Sequence, residues 1–191
     1  MENIELEPLL NQKSIGTEMT ADFKDNLEAL KVQLSPEKSY DVVYRVIKIG
    51  GRDACFFFVD GFCKDELMQK LLQYLMDLKP EDLPGNAHDM KKKYMPYVEV
   101  DLSNKWDVII RNLLSGQTIL VIDGYESCIM IDSRTYPVRS VAEPVKEKAL
   151  RGSRDGFVET IVFNTALLRR RIRSTKLRVE MMSAGKSSQT D

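Results

Sequence analysis

The sequence predicts an α+β (α/β) fold, a mixed sheet of hairpins packed by helices, followed by the start of a second, smaller α/β subdomain. Three observations carry this. Two pairs of apolar, β-branched runs flank the turn dipeptides Gly50-Gly51 and Asp123-Gly124. Between them, apolar residues recur every three or four positions, the period of helices with one buried face. After Asp132 this order gives way to an aperiodic stretch containing Pro137 and Pro144, and a new helical period starts beyond it. The expected division is a mobile arm over residues 1–19 and a first α/β subdomain over 20–132. An extended linker over 133–152 and a long helix and strand over 153–191 complete it, the last two beginning the second subdomain.

The first helix is expected from Ala21 to Leu34. Thr20 is the candidate N-cap, Asp22 sits in the first turn, and Phe23, Leu27, Leu30 and Leu34 share a face. Ser35-Pro36 ends it. Val42 to Ile49 and Ala54 to Val59 read as hairpin strands closed by Asp60-Gly61. A helix from Lys64 to Leu78 places Leu67, Leu71, Tyr74, Leu75 and Leu78 inward, and Pro80 and Pro84-Gly85 break it. A short basic helical turn within 86–95 and a strand at Tyr97–Val100 follow. Ser103 is the expected cap of a helix that reaches Leu114 with Trp106, Ile109, Ile110, Leu113 and Leu114 buried. Gln117 to Ile122 and Glu126 to Ile131 form the second strand pair. Ser153 is the expected cap of the last helix, which runs through Asp155, Phe157, Ile161, Leu168 and Ile172 to Arg173, before a strand-like Arg178–Met182.

The 191 residues carry 28 Lys and Arg against 29 Asp and Glu, a net charge of −1. That balance excludes a uniformly basic nucleic-acid binder, but the charges are not evenly mixed. Residues 134–178 hold twelve Lys and Arg against four Asp and Glu, so a basic segment follows an acidic body. The longest apolar run, Ala54–Val59, falls far short of the about 18 residues a bilayer-spanning helix needs. The acidic start MENIELEPLL lacks the basic and apolar regions of a signal peptide. Cys55, Cys63 and Cys128 are odd in number and widely spaced, which points to reduced thiols in a cytosolic setting.

The chemistry of catalysis is not legible. His88 is the single histidine and has no partner for a nucleophile relay or a metal site. Ala184–Ser187 (AGKS) resembles half of a phosphate-binding loop, but Glu180 stands where that motif needs glycine. No cofactor, metal or catalytic residue is expected, and the chain does not read as an enzyme.

The informative stretch runs from Arg134 to Arg173. On a helix, Phe157, Ile161, Leu168 and Ile172 fall within about 60° of one another, with Asn164 on the same side of the helix. Asn164 is then either a structural amide bonded to a neighbouring loop or an orienting residue for the extended segment or a ligand. Arg169, Arg170 and Arg171 point about 100° apart and, with Arg173, ring the helix C-terminus, where the helix dipole favours cations. Arg171 lies nearest the apolar face and is the expected buried member, forked onto Glu143 or Asp155. Arg169, Arg170 and Arg173 are expected in solvent or against phosphate, lipid headgroups or an acidic partner surface. Candidate ligand or interface residues are therefore Arg139, Glu143, Arg151, Arg154, Asp155, Asn164, Arg169, Arg170, Arg171 and Arg173.

Tyr136-Pro137, Arg139-Ser140, Glu143-Pro144, Glu147, Arg151-Gly152, Arg154 through Phe157, Glu159, Asn164 through Leu167 and Arg169 through Arg173 together resemble the GerA family, the A subunits of spore germinant receptors. FFVDGF at 57–62 and LLSGQTILVIDG at 113–124 are similar to the same family. FNTALLRRRIR with RGSRDGFVE resembles its stage V sporulation protein AF branch. The resemblance implies the N-terminal soluble domain, two α/β subdomains, of a spore inner-membrane protein, lying on the cytoplasmic side. It implies a role in assembly or signal relay of a germinant receptor or ion-channel complex, or binding of a small-molecule nutrient in a cleft between subdomains. The implied partners are other subunits of a germination membrane complex, with homo-oligomerisation through a membrane domain beyond this sequence. Anionic lipid is a further candidate contact, and nucleic acid is not expected.

Overall fold

The structure, a computed structural model, describes residues 16–95, 99–134 and 157–187. Helix α1 is Phe23–Leu34, strands β1 and β2 are Val42–Ile49 and Arg52–Val59, and helices α2 and α3 are Asp65–Met76 and Ala87–Tyr94. Strand β3 (Val100–Ser103), helix α4 (Trp106–Leu114), strands β4 (Thr118–Ile122) and β5 (Cys128–Ile131) and helix α5 (Ile161–Arg171) complete the order.

The α+β class holds. The strands form one five-stranded sheet in the order β1-β2-β4-β5-β3. Every neighbouring pair is antiparallel, so the sheet is not of mixed direction. Gly50 (φ 53°) and Gly51 (φ 78°) make the β1–β2 turn, where a side chain would be strained at both positions. The pairing runs unbroken from Val42 opposite Val59 to Ile49 opposite Arg52.

Helices cover both faces, which is why the strands read as apolar runs rather than strict alternation. On one face Phe57, Ile119, Val121 and Met130 meet Leu30 and Leu34 of α1 and Trp106, Ile109, Ile110 and Leu113 of α4. On the other, Ile49, Phe56, Leu120, Ile122 and Ile129 meet Met68, Leu71 and Leu75 of α2 and Met90 of α3. Tyr44 stacks on Phe57, directly opposite it in the β1–β2 pairing, with ring centroids 5.4 Å apart.

Several boundaries differ from expectation. Helix α1 begins at Phe23 because Asp22, not Thr20, caps it; its carboxylate accepts the amides of Lys24 (2.8 Å) and Asp25 (3.0 Å). Helix α2 turns Met68, Leu71 and Leu75 inward, leaving Tyr74 half-exposed. Ser103 ends β3 instead of capping α4 inside its own helix. After Asp123-Gly124, Tyr125 turns into the core and its hydroxyl donates to the Pro84 carbonyl (2.6 Å), so β5 starts only at Cys128. Residues 17–19 are held beside α4: the Met19 amide donates to Asn104 and the Trp106 amide to Thr17.

The last helix starts at Ile161, later than expected, and Phe157–Thr160 are not helical. The Asn164 side chain explains this start. Its oxygen accepts the Val158 amide (2.7 Å) and its amide donates to the Val158 carbonyl (2.6 Å), taking the backbone groups a helix would use. Arg178–Met182 forms no strand. Instead the Val179 amide donates to Ser39 Oγ (3.0 Å) and its carbonyl accepts the Tyr40 amide (3.0 Å). The expected Ser153 cap, the first turn at Asp155 and most of the extended linker lie outside the described residues.

Burial pushes the Cys55 thiol up to about 12 and raises Cys128 further. Cys63 is half-buried; burial raises it too, against hydrogen bonds to Ser133 and Thr118 that lower it. Iodoacetamide at pH 8 is therefore expected to label Cys63 slowly and to spare Cys55 and Cys128 in the folded chain, with all three labelled after denaturation. Mass spectrometry of the alkylated peptides checks this; prompt native labelling of Cys55 or Cys128 contradicts it.

Candidate functional site

Helix α5 is attached to the sheet body by a buried ion pair. Arg169 Nε donates to Asp41 Oδ2 (2.7 Å) and Nη2 to Asp41 Oδ1 (2.9 Å), a two-pronged fork with both side chains 1% exposed. Nη2 also reaches Ser39 Oγ (3.2 Å), while Nη1 donates to the carbonyls of Ser174 and Leu177 (3.2 Å each). These five contacts match the five N–H donors of a guanidinium. Ser39 is used as fully: its hydroxyl donates to Asp41 Oδ1 (2.7 Å) and accepts from Arg169 and from the Val179 amide.

Further contacts surround this pair. Tyr40 and Thr165 share a hydroxyl–hydroxyl bond of 2.5 Å. Arg178 Nη2 donates to Ser35 Oγ (2.9 Å), the left-handed residue that ends α1. Burial and the neighbouring Arg169 guanidinium pull Arg178 below the ordinary guanidinium value, while Asp41 opposes this. Thr165 and Ala166 let α5 approach the turn after β2, where a side chain on Gly61 (φ 81°) would meet Val162 at 3.0 Å and Ala166 at 3.1 Å.

The arrangement reverses the expected orientation of α5. Among the described residues Arg169, not Arg171, is the buried arginine, and its carboxylate is Asp41; Glu143 and Asp155, the partners expected for Arg171, lie outside the described residues. The apolar stripe expected to face the core is exposed instead: Phe157 by 73%, Ile161 by 41%, Leu168 by 39% and Ile172 by 47%. Asn164 is bonded to Val158, as in the structural reading of that residue. Arg170, Arg171 and Arg173 are exposed, and Arg173 Nε donates to the Arg170 carbonyl (3.3 Å) at the helix end. Arg139, Glu143, Arg151, Arg154 and Asp155 lie outside the described residues, so the structure brings together only the second half of the candidate set. Sequence reasoning missed Ser39, Tyr40 and Asp41, and read Gly61 only as the close of the hairpin. The available signal was the small side chains of Thr165 and Ala166, which suit a close approach to a glycine.

Fold and site together define an α+β domain of three layers that carries a basic helix clamped to one end. The family model described as Bacillus/Clostridium GerA spore germination protein matches residues 28–191, and the chain belongs to that family. Stage V sporulation protein AF of Bacillus subtilis (strain 168) is 36% identical over 168 residues, covering 87% of this chain and 34% of that protein. The uncharacterized membrane protein YfkQ of the same strain is 28% identical, covering 91% of this chain and 34% of that protein. The chain thus spans about a third of the length of these relatives. The crystal structure of the N-terminal domain of the A subunit of the Bacillus megaterium spore germinant receptor GerK3 shares the fold. Its TM-score is 0.65 at 22% identity, over 92% of this chain and 64% of that one.

Removing one end of the buried pair leaves an uncompensated charge, so Asp41→Asn and Arg169→Met are each expected to cost about 3–5 kcal/mol. The double variant Asp41→Leu with Arg169→Met is expected to lose much less than the sum, and Arg169→Lys to rescue little, because an ammonium cannot fork onto a carboxylate. Urea unfolding followed by circular dichroism measures all four. Single losses below about 1 kcal/mol would show that α5 does not depend on this contact.

Proposed function

We propose that the chain is the cytosolic N-terminal domain of a spore inner-membrane germination protein and acts in the assembly or signal relay of a germinant-receptor or ion-channel complex. Membership of the GerA family supports the germination role. The observation that carries the assembly role is the orientation of α5. A fully satisfied ion pair sets which side of the helix faces inward, and the outward side presents apolar side chains and arginines together. Such a surface suits a partner that covers the apolar groups and supplies negative charge.

In this reading the partners are other subunits of a germination membrane complex, and homo-oligomerisation runs through the membrane part of the protein. The domain does no chemistry of its own. Its division into a first subdomain up to residue 132 and the start of a second after a linker at 133–152 belongs to the same proposal. The alternative, a nutrient-binding cleft between subdomains, has less support, because the Asn164 amide is already engaged by Val158.

Deleting the gene from the spore-forming host is expected to slow germination at least several-fold, read as loss of optical density after nutrient addition. A tagged chain is expected to copurify with other germination membrane proteins from spore membranes. Normal germination, or recovery of the tagged protein with none of them, would overturn the proposal. Titration calorimetry with amino acids, sugars and nucleosides separates the alternative, which requires heat from at least one of them.

A further inference from the structure

Strand β1 is an outer strand of the sheet, and its free edge carries a row of unused backbone groups. In the β1–β2 hairpin, Ile49 opposite Arg52 closes the two-residue turn as a bonded pair, and bonded and non-bonded pairs then alternate. Val43, Arg45 and Ile47 therefore bond to β2. The Asp60 amide on the Asp41 carbonyl (2.8 Å) continues the same alternation. Tyr44, Val46 and Lys48 turn their N–H and C=O groups away from β2, where these meet no hydrogen-bond partner among the described residues.

Outer strands are usually blunted by a proline, a bulge or an outward charge. β1 has no proline, and its pairing with β2 runs without a bulge from Val42 to Ile49. Lys48 is drawn back over the sheet by Asp53 on the neighbouring strand (2.9 Å). Val46, at the centre of the edge, is 48% exposed, and Arg45 and Lys48 are exposed beside it, so neither helical layer overhangs this stretch. The opposite edge, β3, has four residues, and the Met19 amide takes the carbonyl of Asn104 just beyond it.

The side chains of this edge match a second copy of themselves. About a twofold axis through Val46, antiparallel pairing sets Val46 opposite the second copy's Val46, Tyr44 opposite its Lys48 and Arg45 opposite its Ile47. All three outward residues of each copy then enter bonded pairs, each exchanging two N–H···O bonds. Apolar meets apolar at the centre, and no like charges stand directly opposite; the two Arg45 side chains lie on a diagonal. Shifting one copy by two residues loses one of these pairs, and in one direction sets Arg45 against itself.

We propose that β1 is a self-association edge, through which two copies join their five-stranded sheets antiparallel, centred on Val46. The contact adds to the oligomerisation placed in the membrane part of the protein and leaves the outward face of α5 to other subunits. It requires no germination role, so the two readings fail separately.

Analytical ultracentrifugation of the 191-residue chain from about 10 µM to about 1 mM tests this. The average mass is expected to climb from 21.9 kDa towards that of a dimer. Val46→Pro removes an outward N–H without touching the β1–β2 bonds, and is expected to weaken association at least about tenfold. Val46→Lys and Val46→Glu set like charges opposite one another and are each expected to run as monomers, while their equimolar mixture regains the dimer. Urea midpoints check that each variant is folded; where Val46→Pro lowers its midpoint, the Lys and Glu variants alone decide. A monomer at every concentration, a dimer indifferent to these changes or a mixture that stays monomeric would overturn the proposal. So would a dimer that Leu168→Ser with Ile172→Ser dissolves, which would assign the contact to α5.

Discussion

The ion pair between Asp41 and Arg169 sets how the C-terminal helix meets the rest of the chain. Two charges taken out of water cost several kcal/mol each, and their attraction repays this only with good geometry and satisfied remaining donors. Here the fork is two-pronged, and Ser39, Ser174 and Leu177 take the other donors. One carboxylate thereby ties together the loop before β1, helix α5 and the chain that follows it. Among the described residues the buried apolar contribution of α5 is Ala166, packed with Val59 and Phe62. The helix is located by directional polar contacts rather than by buried area. That favours one defined rotation over a range of sliding positions.

The body beneath it follows more ordinary rules, and most of it was legible in the sequence. Gly50-Gly51 marks a turn that needs positive φ twice, so the first hairpin reads directly. Trp106, Ile109, Ile110, Leu113 and Leu114 all lie inward, because α4 packs on a sheet face with no competing surface. Boundaries moved where two residues offered the same chemistry. Asp22 and Thr20 both suit an N-cap; the carboxylate takes two helix amides, while the Thr20 hydroxyl accepts from Asp22. Tyr125 was invisible as a core residue because its burial depends on a carbonyl acceptor at Pro84, supplied by a loop 41 positions away.

The site was less legible, for a physical reason. Periodicity locates a helical face but not which way it turns, and the usual assumption is that the apolar side goes in. In α5 that assumption fails, because the inward side is Thr165, Ala166 and Arg169. Asp41 could not be recognised as the partner from spacing, since it lies 128 residues from Arg169 and no local motif joins them. Asn164 was legible as a residue needing partners. Both partners turned out to be the backbone of Val158, which also moved the helix start to Ile161.

The consecutive arginines then acquire distinct roles from helical geometry alone. Successive side chains diverge by about 100°, so burying Arg169 turns Arg170 to one flank and Arg171 to the far side. The same rotation carries Ile161, Leu168 and Ile172 out of the core, leaving apolar and cationic groups on one surface. Neutralisation by Asp41 removes Arg169 from the external field, which falls to the exposed cations around it. The nearly balanced total charge of −1 thus conceals a molecule with a defined orientation. An acidic body stands at one side and a basic, apolar helix at the other, and the contact that fixes their relation is itself hidden from solvent.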